Sequence, residues 1–337
     1  MPSRRAALQA LAALGLLPAA LRAASGSLIQ LFGKPPQSTH KVFVTGPPAA
    51  VLVTVLAPER LMGWPSALSD AQRTLLPAAA RDKPVLGRLL GRGSTVSLEA
   101  LLALQPDLVL DAGSISATYV STAQRVADQT GLPYALVDGR LADTPRQLRE
   151  VGVLLGVRER GEQLALYADE TLSAASAQRG AGATPGVYLA RGNDGLETAT
   201  AGSINAEIIE AAGGRNVVDA GRGGSIARVS MEQVLAWAPD WVLTQDRNFH
   251  ALARTDTAWQ ALPAVRAGRV LLTPDRPFGW VDGPPGVNRL IGVRWLAASL
   301  QRGATVDFTA EAQRFYALFY GVTPSREELQ ALLDGRG

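Results

Sequence analysis

The sequence predicts an α/β protein of two similar, Rossmann-like lobes. Each has a mostly parallel sheet, one long helix joins them, and a ligand cleft lies between them. Three observations carry this. A capped helix, a Pro-Asp turn and an apolar strand form one unit at Ser97–Leu110. The same unit returns at Ser230–Leu243. Between them, Arg158–Gln178 has good helix formers and no strand signal. A length of 337 residues suits two domains of roughly 150 residues each.

Taken in order, the first segment reads as an export signal. Ser3-Arg4-Arg5 precedes an apolar run, Ala6–Leu21, too short for a comfortable membrane span. Small residues Ala23, Ala24 and Ser25 then offer a cleavage region. The Arg pair resembles a twin-arginine signal; a general secretory signal is the other route the pattern allows. The expected organisation is a signal over 1–24, an N-terminal lobe over 25–157, a connecting helix over 158–180 and a C-terminal lobe over 181–337.

In the first lobe, Lys41–Thr45 is a β-rich run ending at Gly46-Pro47-Pro48, and Arg60–Gly63 is a weaker strand candidate. Ser97 is placed to cap a helix through Leu104, with Glu99 in its first turn. Pro106-Asp107 stops that helix, and Leu108–Leu110 reads as a buried strand. Thr122–Thr130 is helical, ended by Gly131, and Tyr134–Val137 is a further strand. Ser230–Gln245 then aligns with Ser97–Ala112 at an offset of 133 without gaps, with eight of sixteen positions identical. A repeat of a whole supersecondary unit implies two copies of one lobe.

Composition removes several functions. With no cysteine, disulfides, iron–sulfur clusters and thiol catalysis are excluded. With His40 and His250 as the two histidines, a His-rich metal cage cannot be built. The net charge of +3 equals the contribution of Arg4, Arg5 and Arg22, so the rest of the chain is neutral and no nucleic-acid partner is indicated. There is no G-x-S-x-G, Walker A, strand-following G-x-G-x-x-G or H-E-x-x-H pattern, so a binder is expected rather than an enzyme.

In open parallel sheets, ligands sit beyond the carboxyl ends of strands. That rule selects the loops Thr45–Ala49, Trp64–Leu68, Asp111–Tyr119, Asp138–Asp143, Arg191–Thr198, Gln245–His250 and Pro274–Pro285. Gly46 and Pro47 open a candidate anion nest with Ala49 and Ala50 as N–H donors; a rigid turn is the alternative. Arg92, Arg191 and Arg247 are candidate oxyanion or carboxylate receptors, since guanidinium forks match such oxygens. Ser114, Asn193 and Gln245 are polar candidates in the same loops. Trp64, Tyr119, Phe249 and Trp280 are candidate apolar walls.

Ser97–Leu110, Ser230–Leu243, Gly202–Val217 and Phe278–Leu296 together resemble segments of the class III periplasmic solute-binding proteins of ABC importers. The resemblance spans roughly residues 40–320. Phe278–Leu296 resembles the branch that includes iron-complex, nickel-chelate and molybdate binders. What the resemblance implies is a monomeric periplasmic receptor without an intrinsic cofactor, handing its ligand to a membrane permease. Glu207 and Glu210 are the implied permease contacts of the second lobe. Some relatives complete the coordination of a chelated iron with His or Tyr, which makes His250 a candidate metal contact. The expected ligand is an iron(III)–siderophore or similar chelate; molybdate or another oxyanion, a nickel chelate, cobalamin and haem are alternatives.

Overall fold

The computed structural model describes residues 26–89, 93, 95–178, 184–219, 225–302 and 307–335. The predicted signal over 1–24 and the candidate Arg92 lie outside the described residues.

The first lobe holds a four-stranded sheet of β1 (Ile29–Phe32), β2 (Val42–Val44), β3 (Leu108–Gly113) and β4 (Tyr134–Asp138), ordered β1-β4-β3-β2. β2, β3 and β4 run parallel, while β1 is an antiparallel edge. Two helices begin at this sheet's carboxyl edge: α1 (Pro47–Leu56) follows β2, and α3 (Ala117–Thr130) follows β3. Between them in sequence, α2 (Leu98–Leu104) is capped by Ser97, whose side chain accepts the Ala100 N–H. Arg60–Gly63, expected as a strand, reaches the sheet only through one parallel bridge, Val42↔Leu61.

α1 has no polar stripe because it has no wet face. Every side chain from Ala49 to Leu56 is buried, between its own sheet and a helix from the end of the chain. A helix buried all round shows no amphipathic period.

After α4 (Thr144–Leu154), the connecting helix α5 (Arg158–Gln178) occupies the predicted span. The second lobe contains β5 (Gly186–Ala190), β6 (Glu197–Ala199), α6 (Glu207–Ala211), β7 (Arg215–Asn216), β8 (Ile226–Arg228), α7 (Met231–Trp237), β9 (Trp241–Thr244), α8 (Arg247–Leu252) and β10 (Val270–Leu272). Its sheet, ordered β10-β9-β5-β7, is parallel throughout; β6 and β8 form a separate antiparallel ribbon. The chain ends in α9 (Arg289–Arg302), α10 (Thr309–Tyr320) and α11 (Arg326–Leu333).

The two Pro-Asp units fall in different sheets, β3 in one and β9 in the other. Their matching positions do matching work. The Asp107 carboxylate accepts the Lys41 N–H (2.9 Å) before β2, and Asp240 accepts the Gly186 N–H (2.6 Å) at the start of β5. Each aspartate therefore ties its own strand to the neighbouring parallel one. Gln105 and Ala238 close the two helices with positive φ (49° and 44°), the non-glycine residues with that conformation among those described. The turn needs a left-handed residue there, and the proline one position later keeps the helix from continuing.

The lobes share one core. A single buried cluster runs from Val44 and Val51 through Leu164 and Ala168 of α5 to Leu243, Ile208 and Leu290. α10, grouped by sequence with the C-terminal lobe, packs on α1 of the first. The Arg160 guanidinium of α5 donates to the carbonyls of Leu318 (2.6 Å) and Phe319 (3.3 Å) at the end of α10. Such continuous packing favours small rearrangement over wide hinge opening.

Candidate ligand-binding site

A cavity of about 390 Å³ opens where β2 and β3 end. Its first-lobe wall is Thr45, Gly46, Pro47, Pro48, Arg88, Asp111 and the loop through Ser114, Ser116 and Tyr119. The second lobe closes it with Ile204, Asn205, Ser225 and Pro285. The cavity thus sits between lobes and beyond strand carboxyl ends, as the topology requires.

Two helices begin at this cavity. Pro47 and Pro48 fix the first turn of α1 and bring no N–H, and Ala49 is fully buried, so Gly46 is the residue of this helix start with an amide at the cavity wall. α3 starts after Ser116, whose side chain makes no cap hydrogen bond, leaving the first amides of that helix to the cavity side. Both macrodipoles place positive potential there. Gly139 allows the strand ends to close up: a Cβ on it would lie 2.9 Å from the Gly113 Cα.

Asp111 is the buried acidic group of the wall. Its oxygens accept from Thr45 Oγ1 (2.6 Å) and Tyr134 Oη (3.1 Å). Burial raises its pKa, while the two hydroxyls and the Ala112 amide oppose that rise.

Of the sequence candidates, Gly46, Pro47, Ser114 and Tyr119 meet in this cavity. Ala49 lies on the buried side of α1. Arg191 and Gln245 line a second, separate cavity of about 230 Å³ with Gly192, Glu197, Asp246 and Gly283. There Arg191 is already ion-paired with the buried Asp282, which also accepts from Asn205 Nδ2 (3.0 Å). Burial pulls the Arg191 pKa down. Asn193 is exposed in the adjoining turn, outside both cavities.

Several candidates are corrected. Trp64 is a core residue: its indole N–H donates to the Ala80 carbonyl (2.9 Å) and its ring packs on Phe278. Trp280 is buried against Trp295 and Phe308 and donates to Tyr316 Oη (3.2 Å). Phe249 is the inward face of α8, edge-on to Trp259 at 4.7 Å. In each case the large apolar side chain gains more from a full core than from a wet cleft. Arg247 is held by Asp275 (3.2 Å) and the Gly335 carbonyl, not by a cavity. His250, half-buried on α8, has a pKa lowered by burial and by Arg254. No group of three or more metal-ligating side chains occurs among the described residues.

Glu207 is also corrected. Its carboxylate accepts the Leu141 N–H (2.7 Å) and pairs with the fully buried Arg289 (3.2 Å), so it points into the lobe junction. Glu210, one turn on, is exposed. Sequence reasoning missed Arg88, Ile204, Asn205 and Ser225, while Asp111 and Pro285 fell inside loops it selected without being singled out. Asp111 was visible as an acid in a strand otherwise apolar, the one available signal.

Comparison with known proteins agrees with this architecture. Residues 57–277 match the family described as periplasmic binding protein. The chain is 28% identical over 254 residues to the molybdate-binding protein MolA of Haemophilus influenzae, covering 67% of this chain and 70% of that protein. An ABC transporter solute binding protein from Sulfurospirillum deleyianum superposes with a TM-score of 0.80 at 26% identity, covering 89% of this chain and 95% of that one. The molybdate-bound MolA structure superposes at 0.67 with 20% identity, covering 87% and 96%, a likeness of fold. The chain belongs to the periplasmic binding protein family, and with it to solute receptors rather than enzymes.

Proposed function

We propose that the protein is the periplasmic receptor of an ABC importer and captures a small oxyanion, of the molybdate class, in the cavity between β2, β3 and the second lobe. The carrying observation is that two helices begin beside one compact cavity between the lobes. The expectation of an iron(III)–siderophore came from the family resemblance, with an aromatic cleft and His250 as its candidate contacts. With Trp64, Phe249 and Trp280 in the core, Tyr119 is the aromatic residue left in the cavity wall. A volume of about 390 Å³ is near the low end for small-molecule pockets, which weighs against haem or cobalamin. The binding of molybdate by MolA supports the same reading.

The permease-facing surface follows from the duplication. Glu99 and Glu232 occupy matching positions on α2 and α7, and both are exposed. Leu102 and Leu235, one turn on, are 43% and 38% exposed, unusual for leucine and again matched. A symmetric pair of acidic and apolar contacts suits a two-fold permease. These residues replace Glu207 as the proposed docking contacts, with Glu210 outside the symmetric pair.

Calorimetric titration with molybdate, tungstate, sulfate, phosphate and a ferric siderophore tests the ligand class. Saturable oxyanion binding is expected. Binding of the siderophore with no oxyanion binding would return the function to chelate uptake.

A further inference from the structure

We infer that Asp111 sets the specificity of the cavity by requiring one proton to be shared between its carboxyl group and the bound anion. This rests on the oxyanion reading above and goes beyond it to the basis of selection. The argument is geometric. Asp111 is only 7% exposed yet forms part of the cavity wall. Both its oxygens are fixed by hydroxyl donors, Thr45 Oγ1 and Tyr134 Oη, so the carboxyl cannot swing away when an anion enters. A carboxylate and a dianion in direct contact repel each other when both are fully ionised. A proton between them turns the repulsion into a charge-assisted hydrogen bond.

The proton has two sources. An anion that carries one at neutral pH, such as hydrogen phosphate or hydrogen arsenate, donates its own O–H to the Asp111 carboxylate. Molybdate or sulfate brings none, so Asp111 takes a proton from solvent and donates it to the anion. The burial that lifts the pKa of this carboxyl makes that uptake easier. Arg88 and Tyr119 share the cavity wall, and Tyr134 is held protonated by burial and by Asp111 itself. On β4 the next acid, Asp138, is paired with Arg140 (2.9 Å). α1 contributes no titratable side chain, and the second-lobe wall is Ile204, Asn205, Ser225 and Pro285.

The test is calorimetric titration of the mature protein with molybdate and with phosphate between about pH 7.5 and 8.5, in two buffers of different ionisation enthalpy. With the wild type, molybdate affinity falls about tenfold per pH unit above the Asp111 pKa, with about one proton taken up per anion. Phosphate affinity stays nearly flat. Asp111→Asn, which cannot titrate, makes molybdate binding flat and weakens phosphate relative to molybdate by at least tenfold. Molybdate binding without proton uptake by the wild type overturns the inference while leaving the oxyanion reading intact. That result needs no variant, so it stands even if Asp111→Asn fails to fold. If no oxyanion binds the wild type at any pH, the oxyanion reading itself falls.

Discussion

Arg289 and Glu207 form a buried ion pair, and each partner also makes a hydrogen bond to the opposite lobe. Arg289 Nη2 donates to the Gly139 carbonyl (2.6 Å), and Glu207 accepts from Leu141, both just beyond β4. On its own side Arg289 also holds the Ile204 carbonyl (3.0 Å), next to the cavity wall. Burial brings the Arg289 pKa down to about 10, still charged at neutral pH. Removing Glu207 leaves the buried Arg289 charge without its counter-ion and the Leu141 N–H without its acceptor. Glu207→Ala is expected to destabilise the fold by about 3–5 kcal/mol in urea unfolding. A loss below about 1 kcal/mol would show that the junction does not depend on this pair.

Phe249→Ala separates core from ligand contact. The ring fills the space between α8 and Trp259, so its loss should lower stability by about 3–5 kcal/mol. Ligand affinity of the folded fraction should stay within about threefold. A large affinity loss at unchanged stability would return Phe249 to the cleft.

Asp240→Ala removes the acceptor of the Gly186 amide at the start of β5. The expected loss is about 1–3 kcal/mol, read by thermal or chemical unfolding. Asp107→Ala should cost a comparable amount in the other sheet, and the two should add because they do not touch. Strong coupling between them would contradict two independent sheets.

The duplicated unit explains what the sequence made legible. Ser97 and Ser230, the Pro-Asp turns, and the strands after them obey local rules that a short window reveals. The mostly apolar α1 does not, since its burial depends on α10, more than 250 residues away in the chain. The cavity was half legible for the same reason. Gly46, Pro47, Ser114 and Tyr119 follow from strand ends, whereas Asn205, Ser225 and Pro285 enter from the other lobe. Trp64, Phe249 and Trp280 sit beside the right loops but turn inward, a choice made by tertiary packing that loop position cannot encode.

Docking predicts a charge-reversal phenotype. Glu99→Lys with Glu232→Lys should abolish ligand transfer by the permease reconstituted in vesicles. Ligand affinity should remain unchanged, because both residues lie on outer helix faces away from the cavity. Undiminished transfer would place the contact elsewhere, with Glu210 the next residue to test.

Tyr134, Tyr167, Tyr188, Tyr316 and Tyr320 all have pKa values raised above the usual 10, chiefly by burial. A folded pKa above the unfolded one stabilises below the unfolded value and is lost as pH climbs past it. The fold should therefore hold up to about pH 10 and then fail cooperatively. Tyrosinate absorbance should appear together with loss of helical circular dichroism. Gradual ionisation ahead of unfolding would mean these hydroxyls are open to solvent.

The position of Asp111 is filled in the other half of the duplication by Thr244, an uncharged residue at the end of β9. Twin ancestry has therefore not produced twin receptors. One half ends its strand in an acid at the cavity wall, its sibling in a buried threonine away from it, so the two halves meet the guest with different chemistry.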